Sequence, residues 1–391
     1  MLRLLHRLLE AGLHFERRFD PFLHPLFDRP LRMPLTRLCN RAINLTRSRD
    51  VPPIAAERID PDEDISLDAI IAEMQRHLDL DFTPGHYERA GNTKTHGLVR
   101  ATLTVLPDLP EHVRRGVFAQ ARSFPAWVRF SNPGPHVEPD IDDVGFGSMS
   151  VKLMDVPGPK LMDDERFTQD FTAVTVITFP TPDTRANAHL QYWSRREMGI
   201  WYFLNLRRPH VRDFIMQALW NRTLANPLAN AYFSCTPYLL GEGQAMQYSF
   251  HPLTRVTTRI PRLPLRPGDD YLRDNLAASL CEGEACFEMR LRLQRDPFRQ
   301  PVEHAGVLWD PADTPYLPVA RITIAPQEFR SPAQFAFARQ LTWNPWHCVP
   351  EHRPLGNQNR ARRRLYHTLS RYRQGKNGEV HVEPTGAERF D

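Results

Sequence analysis

From Phe287 to Gln294 the chain alternates without a break, with Phe287, Met289, Leu291 and Leu293 set against Glu288, Arg290, Arg292 and Gln294. A period of two marks a strand with one buried and one wet face. A second run of this kind covers 98–105, where Val99, Ala101, Leu103 and Val105 alternate with Arg100, Thr102 and Thr104. Shorter strand patterns fall at 126–131, 147–154, 171–179 and 319–324. Helical spacing lies between them. Ser66 reads as an N-cap before Leu67, Ile70, Ile71, Met74 and Leu78. A short helix is expected over 110–121, and Val211, Phe214, Ile215, Ala218 and Leu219 form another apolar face. Pro332 after Ser331 opens a further helix at the position where proline is tolerated. A last, very basic helix runs from about 359 to 373.

Length and composition fit one large domain or two ordinary ones. The chain has 391 residues, 41% hydrophobic and 25% charged, an ordinary globular balance. Its net charge of +4 is too small at this length to argue for nucleic acid. No glycine-rich dinucleotide fingerprint appears. Cys39, Cys235, Cys281, Cys286 and Cys348 are odd in number and widely spaced. That argues against a disulfide framework and for a reducing, cytoplasmic setting.

Residues 1–50 stand apart as a basic amphipathic arm. Leu2, Leu5, Leu8, Leu9 and Leu13 share a helical face, and prolines at 21, 25, 30 and 34 then break the chain. The segment lacks the apolar core of a secretory signal and the ~20 apolar residues of a membrane span. Two readings stay open: an arm whose first twenty residues lie on a membrane surface or a partner subunit, or one packed on its own domain. Residues 51–375 make the main domain, entered through a proline- and acid-rich linker. Residues 376–391 form a polar tail expected to be mobile.

The stretch Asn92-Thr-Lys-Thr-His96-Gly97 places a histidine where a loop becomes a strand. A neutral imidazole there can take up and return a proton near neutral pH, although a packed or surface histidine has the same sequence. Arg362 stands four residues before Tyr366, so on a helix the two side chains stack on one face. A cation held there favours the phenolate of a group whose ordinary pKa is about 10. Arg129 sits inside an apolar strand and either points outward or clamps a carboxylate. The acidic loop 140–143 reads as a solvated turn, and His347 and Cys348 as loop residues packed beside Trp343 and Trp346.

Thr95-His96-Gly97, Val128-Arg129-Phe130-Ser131 and Arg362-x-x-x-Tyr366, with Asn344-Pro345-Trp346-His347 and Pro354-Leu355-Gly356 between them, resemble the haem-binding core of the catalase superfamily. Within that superfamily they are most similar to the short catalase-related haem proteins. The resemblance spans roughly 80–375. It implies an α+β fold, an antiparallel β-barrel of the catalase type surrounded by helices. It also implies haem b with iron held by Tyr366, Arg362 beside the phenolate, Arg129 on a propionate, Ser131 orienting the His96 ring, and Phe179 over the haem face. His96 would move a proton between the two oxygens of a peroxide. The family's strand asparagine is missing from 171–179, where Thr175 stands nearest, with Thr172 as the alternative. A hydroxyl offers one donor to an amide's two. Peroxidase or organic-hydroperoxide chemistry, including hydroperoxide isomerisation, is therefore expected ahead of fast dismutation of hydrogen peroxide. The competing reading is a non-enzymatic haem carrier or sensor. Electron donor and oligomeric state have no sequence signal.

Overall fold

The structure, a computed structural model, describes residues 2–196 and 198–390. Its strands are β1 (Thr95–Val105), β2 (Ser123–Ser131), β3 (Ser148–Leu153), β4 (Gln169–Val174), β5 (Tyr232–Phe233), β6 (Tyr238–Leu239), β7 (Ala245–Pro252), β8 (Ala285–Leu293) and β9 (Leu317–Ile324). They pair in the order β5-β4-β3-β2-β1-β9-β8-β7-β6, and a further β5–β7 pairing closes eight of them into an antiparallel barrel. Closure is weakest where β4 meets β5, joined only at Val174↔Phe233. There the Tyr248 hydroxyl substitutes for a missing strand. It accepts the Thr172 N–H and donates to the Thr172 carbonyl, both at 2.9 Å.

The alternation read from sequence decides which side chains fill the barrel. Val99, Leu103, Val128, Phe130, Met149 and Phe171 turn inward, with Phe287, Met289 and Leu291 of β8 opposite them. The β8 pattern thus names Phe287, Met289 and Leu291 correctly, but fails at its end, where Arg292 and Gln294 are buried and Leu293 is only partly so. The other face of β1–β4 forms two cross-strand rows, Leu98–Arg129–Ser150–Thr172 and Thr95–Ser131–Ser148–Val174. This polar outer wall is unusual for a buried surface and has to be satisfied by what packs on it.

The helices are α1 (Leu2–Phe27), α2 (Met33–Asn44), α3 (Glu63–Asp81), α4 (Thr184–Ser194), α5 (Ile200–Leu204), α6 (Val211–Ala218), α7 (Tyr271–Glu282), α8 (Pro332–Gln340) and α9 (Asn357–Asn377). Leu276, Ala277 and Leu280 of α7 pack into the barrel core. Ala361, Leu365 and Leu369 seat α9 on Leu67, Ile70 and Leu78 of α3. The Ser331 side chain caps α8 as expected, accepting the Gln334 N–H.

Several expectations are corrected. Pro21 and Pro25 lie within α1, and the break comes at the wide turn Asp28–Arg32, with Pro34 in the first turn of α2. Ser66 falls inside α3, which begins after Asp62. The 110–121 segment makes only two single turns, Glu111–Val113 and Gly116–Phe118. The strand expected through Phe179 stops at Val174: Thr175 adds one in-register bond to Gly147, just before β3, but its side-chain hydroxyl rather than its carbonyl takes the Gly147 N–H, and the ladder ends there. The tail is docked: Glu388 accepts the Trp127 indole N–H, and Phe390 packs on Trp127 and Phe337.

Candidate functional site

His96 is the extra residue of a bulge, since Thr95 pairs with Ser131 and Gly97 with Phe130. The bulge re-aims one side chain without disturbing the strand beyond it. Gly97 is needed there because a Cβ would lie 2.6 Å from the Phe329 ring. The imidazole is buried, and its Nε2 meets the Asn132 Oδ1 at 2.6 Å. An amide oxygen only accepts, so that nitrogen carries the proton and Nδ1 is the basic atom. Nδ1 has no hydrogen-bond partner, and the nearest carboxylate, Asp140, is 3.7 Å away. Burial pulls the His96 pKa down; Asp140 and Asn132 oppose it, while Lys94 and Arg273 add to it.

Two expectations change at this point. Ser131 does not hold the imidazole, because its hydroxyl accepts Arg129 Nη1 at 3.0 Å and Asn132, one residue on, takes the ring. The loop 140–143 is not a solvated turn. Asp140 is buried and salt-bridged to Lys94 at 2.7 Å, and the Asp140 backbone N–H donates to Asp269.

Arg129 is buried on the outer wall. It donates Nε and Nη2 to Thr95 Oγ1 at 3.0 and 2.8 Å, and Nη2 also reaches the Asn92 carbonyl at 2.6 Å. Among the described residues no carboxylate lies within salt-bridge distance of it. Burial pulls its pKa down to about 9, with Glu88 opposing and Arg373 adding to the fall. Arg89 is pushed well below its usual range by burial and by Arg129 and Arg373, and its buried Nη1 has no partner. Arg373 and Arg89 are tied to the carbonyl end of α8, through Arg339 and through Ala338 and Leu341. Glu379 stands 3.4 Å from Arg373. Two buried arginines, Arg129 and Arg373, and the half-buried Arg89, gathered around so little negative charge, make a ready seat for a carboxylate.

α9 links this seat to the second half of the site. Arg362, Tyr366 and Arg373 follow at steps of four and seven, close to one and two turns, so all three share one face. Arg362 donates Nη1 to Thr236 at 3.1 Å and to Asn359 at 3.0 Å. Its guanidinium lies 5.3 Å from the centre of the Phe179 ring and 5.9 Å from that of Tyr366. Burial weakens its charge, but Tyr366, Tyr238 and Tyr248 outweigh this and raise its pKa. The Tyr366 hydroxyl makes no hydrogen bond among the described residues and is free to serve as a ligand. Phe179 therefore joins this group although it lies outside any strand. Thr175 is buried, and its hydroxyl accepts the Gly147 N–H at 2.9 Å, which leaves its own O–H as a donor. Thr172 Oγ1 is buried on the outer wall and unpartnered.

Arg373, Arg89, Asn132 and Asp140 were missed from sequence. Only Arg373 had a local signal, its seven-residue step from Tyr366. His347, expected to pack in a loop, lies in a buried ionic cluster instead. Its Nδ1 is 3.0 Å from Asp170 and its Nε2 3.1 Å from Asp164, and Lys152 bridges Glu165 and Asp170 at 2.5 and 2.7 Å.

No protein-family model matches the chain, and no curated protein matches it in sequence. Solved structures do. A fungal catalase superposes with a TM-score of 0.60 at 15% identity, over 84% of this chain and 67% of that one. Catalase A from Saccharomyces cerevisiae gives 0.61 at 14%, over 88% and 72%. A bacterial catalase gives 0.52 at 15%, over 86% and 67%. The chain has the catalase fold, a closed antiparallel barrel wrapped by helices.

Proposed function

We propose that the chain is a haem-dependent enzyme acting on peroxides. The observation that carries the reading is the single face of α9 on which Arg362, Tyr366 and Arg373 align, with Phe179 against Arg362 and the buried cation Arg129 near Arg373. A planar group with a metal at its centre and carboxylates at its edge matches that sequence of donors. Tyr366 would hold the iron, and Arg89, Arg129 and Arg373 would take the propionates in place of the anion their burial calls for. Arg362 would stand beside the Tyr366 ligand, its guanidinium 5.9 Å from the ring centre.

Haem, when bound, supplies the redox chemistry of O–O cleavage. The protein's part is proton handling. Asn132 fixes the His96 tautomer by accepting from Nε2, which leaves Nδ1 as the base. Asp140 at 3.7 Å favours the imidazolium once Nδ1 is protonated. Burial holds the pKa down, so the proton is readily given back. Thr175 and Thr172 each retain a hydroxyl donor, but neither brings the amide of the family pattern. On that ground organic hydroperoxides are the favoured substrate class.

The test uses haem-loaded protein mixed in turn with hydrogen peroxide and with a lipid hydroperoxide. Oxidation of an added donor, or an isomerised product, supports the reading. Haem that only bleaches makes the protein a carrier or sensor. A purified protein with no Soret band after incubation with haem removes the proposal.

A further inference from the structure

The arm is docked the opposite way round from an ordinary amphipathic helix. Such a helix turns its apolar face to the core. In α1 the buried side chains, His6, Arg17 and Asp20, are all polar, and the most exposed are apolar. Asp20 is buried and accepts the Thr223 N–H at 2.5 Å, while the Arg17 carbonyl accepts the Thr223 hydroxyl at 2.7 Å. His24 bonds Asp20 at 2.7 Å and Asp28 at 3.1 Å. His6 and Arg17 are buried on the same side.

The outward side carries Leu4, Leu8, Phe15, Phe22 and Leu26, which are 64%, 63%, 64%, 56% and 68% exposed. At about 100° per residue these five fall within an arc of about 40°. Leu31 in the wide turn and Leu35 and Leu38 on α2 continue the exposed apolar surface, while Cys39 and Ile43 on the underside of α2 pack on Met216 and Val307. An unbroken apolar stripe along a helix about 39 Å long is far more than scattered surface leucines. No helix in the described residues is long and apolar enough to cross a membrane.

The charges beside the stripe select its occupant. Asp20 and Asp28 are spent on His24, Arg32 and Arg222 on the protein side and Glu10 on His6, which leaves Glu16 as the single α1 acid without a cation partner among the described residues. Arg7 and Arg18, which flank the stripe on one side of α1, and Arg41 on α2 have no carboxylate partner among the described residues. We propose that the arm seats the protein on the surface of an anionic lipid bilayer, with the Leu/Phe stripe in the acyl boundary and these arginines among the headgroups. A second copy docked antiparallel would set each arginine flank against its own twin. The apolar stripe leaves the α1 polar contacts intact, so docking on lipid requires no detachment of the arm.

The experiment is flotation of the full chain with vesicles of neutral phosphatidylcholine, and with the same lipid containing phosphatidylglycerol. The protein should float with the anionic vesicles at about 0.1 M salt and be released as salt rises. Leu8→Glu/Phe15→Glu/Phe22→Glu should abolish flotation while the circular dichroism and melting point stay as in the parent, because all three side chains are exposed. Arg7→Ser/Arg18→Ser should weaken binding about fivefold per arginine. The proposal fails if no vesicle carries the parent protein. It also fails if sedimentation shows a dimer that the triple variant dissolves and that does not bind vesicles.

Discussion

The guanidinium of Arg362 lies 5.9 Å from the centre of the Tyr366 ring, one helical turn along α9. The phenol oxygen makes no hydrogen bond to the described protein, so its removal leaves no buried group unsatisfied. Tyr366→Phe should therefore keep the melting point within the change equivalent to about 0.5 kcal/mol. Its haem absorption spectrum should be lost or strongly shifted. An unchanged spectrum would place the iron elsewhere.

Arg362 has its own test. Arg362→Leu removes the cation beside the Tyr366 ring and also the donor to Thr236 and Asn359. Haem retention should weaken, and the iron spectrum, compared from neutral to alkaline pH, should differ from that of the parent. Arg362→Lys keeps a charge without the fork and should recover part of the effect. Parent-like spectra in both variants across that range would show that the charge does not act on the tyrosine.

Gly97 tests how the bulge positions His96. A Cβ at this position would meet Phe329 at 2.6 Å and Leu276 at 2.9 Å, both in the barrel core. Gly97→Ala should cost about 1–3 kcal/mol through overpacking, read by denaturant unfolding. A variant as stable as the parent would mean that the ring and α7 yield without cost.

The barrel was legible where burial has a period. β8 and the outer part of β1 announced themselves because one face of each fills the core. Phe171–Phe179 misled because a run of apolar and threonine residues reads as strand whether or not a partner is available. The ladder ends where the Thr175 hydroxyl, not its carbonyl, takes the Gly147 N–H, a contact between residues far apart in sequence. The site divides in the same way. Arg362 and Tyr366 were visible because their spacing is a local property of one helix. Asn132, Asp140 and Arg89 were not, since their roles depend on burial that only the closed barrel and α8 create. The arm's orientation was likewise beyond sequence. Its amphipathicity shows from spacing, but which face meets the protein is set by Thr223 and its neighbours.

A pH prediction follows from His347. Burial opposes its charge, but Glu165, Asp164 and Asp170 outweigh this and raise its pKa to about 9. A histidine raised above its unfolded value of about 6.5 binds its proton more tightly in the native state. Its stabilising contribution is complete below pH 6.5 and is lost as pH rises through 9. The melting point of the parent should therefore fall between pH 7 and 10. His347→Gln should be less stable at pH 6.5, with a shallower decline above it. Parallel curves for the two proteins would rule out a charged His347.

The most discriminating variants concern His96 and Asn132. His96→Ala should retain haem and slow the reaction with peroxide by about a hundredfold to ten-thousandfold, the usual contribution of a positioned acid–base group. Asn132→Leu should give part of that loss, because the ring then no longer has Oδ1 to hold its Nε2 proton and fix Nδ1 as the base. Asn132→Asp restores the acceptor but adds a negative charge, which favours the imidazolium and raises the His96 pKa. A base must be unprotonated to act, so the acid limb of the pH–rate profile should move to higher pH in Asn132→Asp while the plateau returns toward the parent. A merely structural Asn132 would change the melting point and leave that limb in place. Peroxide bleaching rates followed by stopped flow from pH 4 to 9 separate the two outcomes. If His96→Ala reacts as fast as the parent at every pH, the imidazole is not the proton carrier.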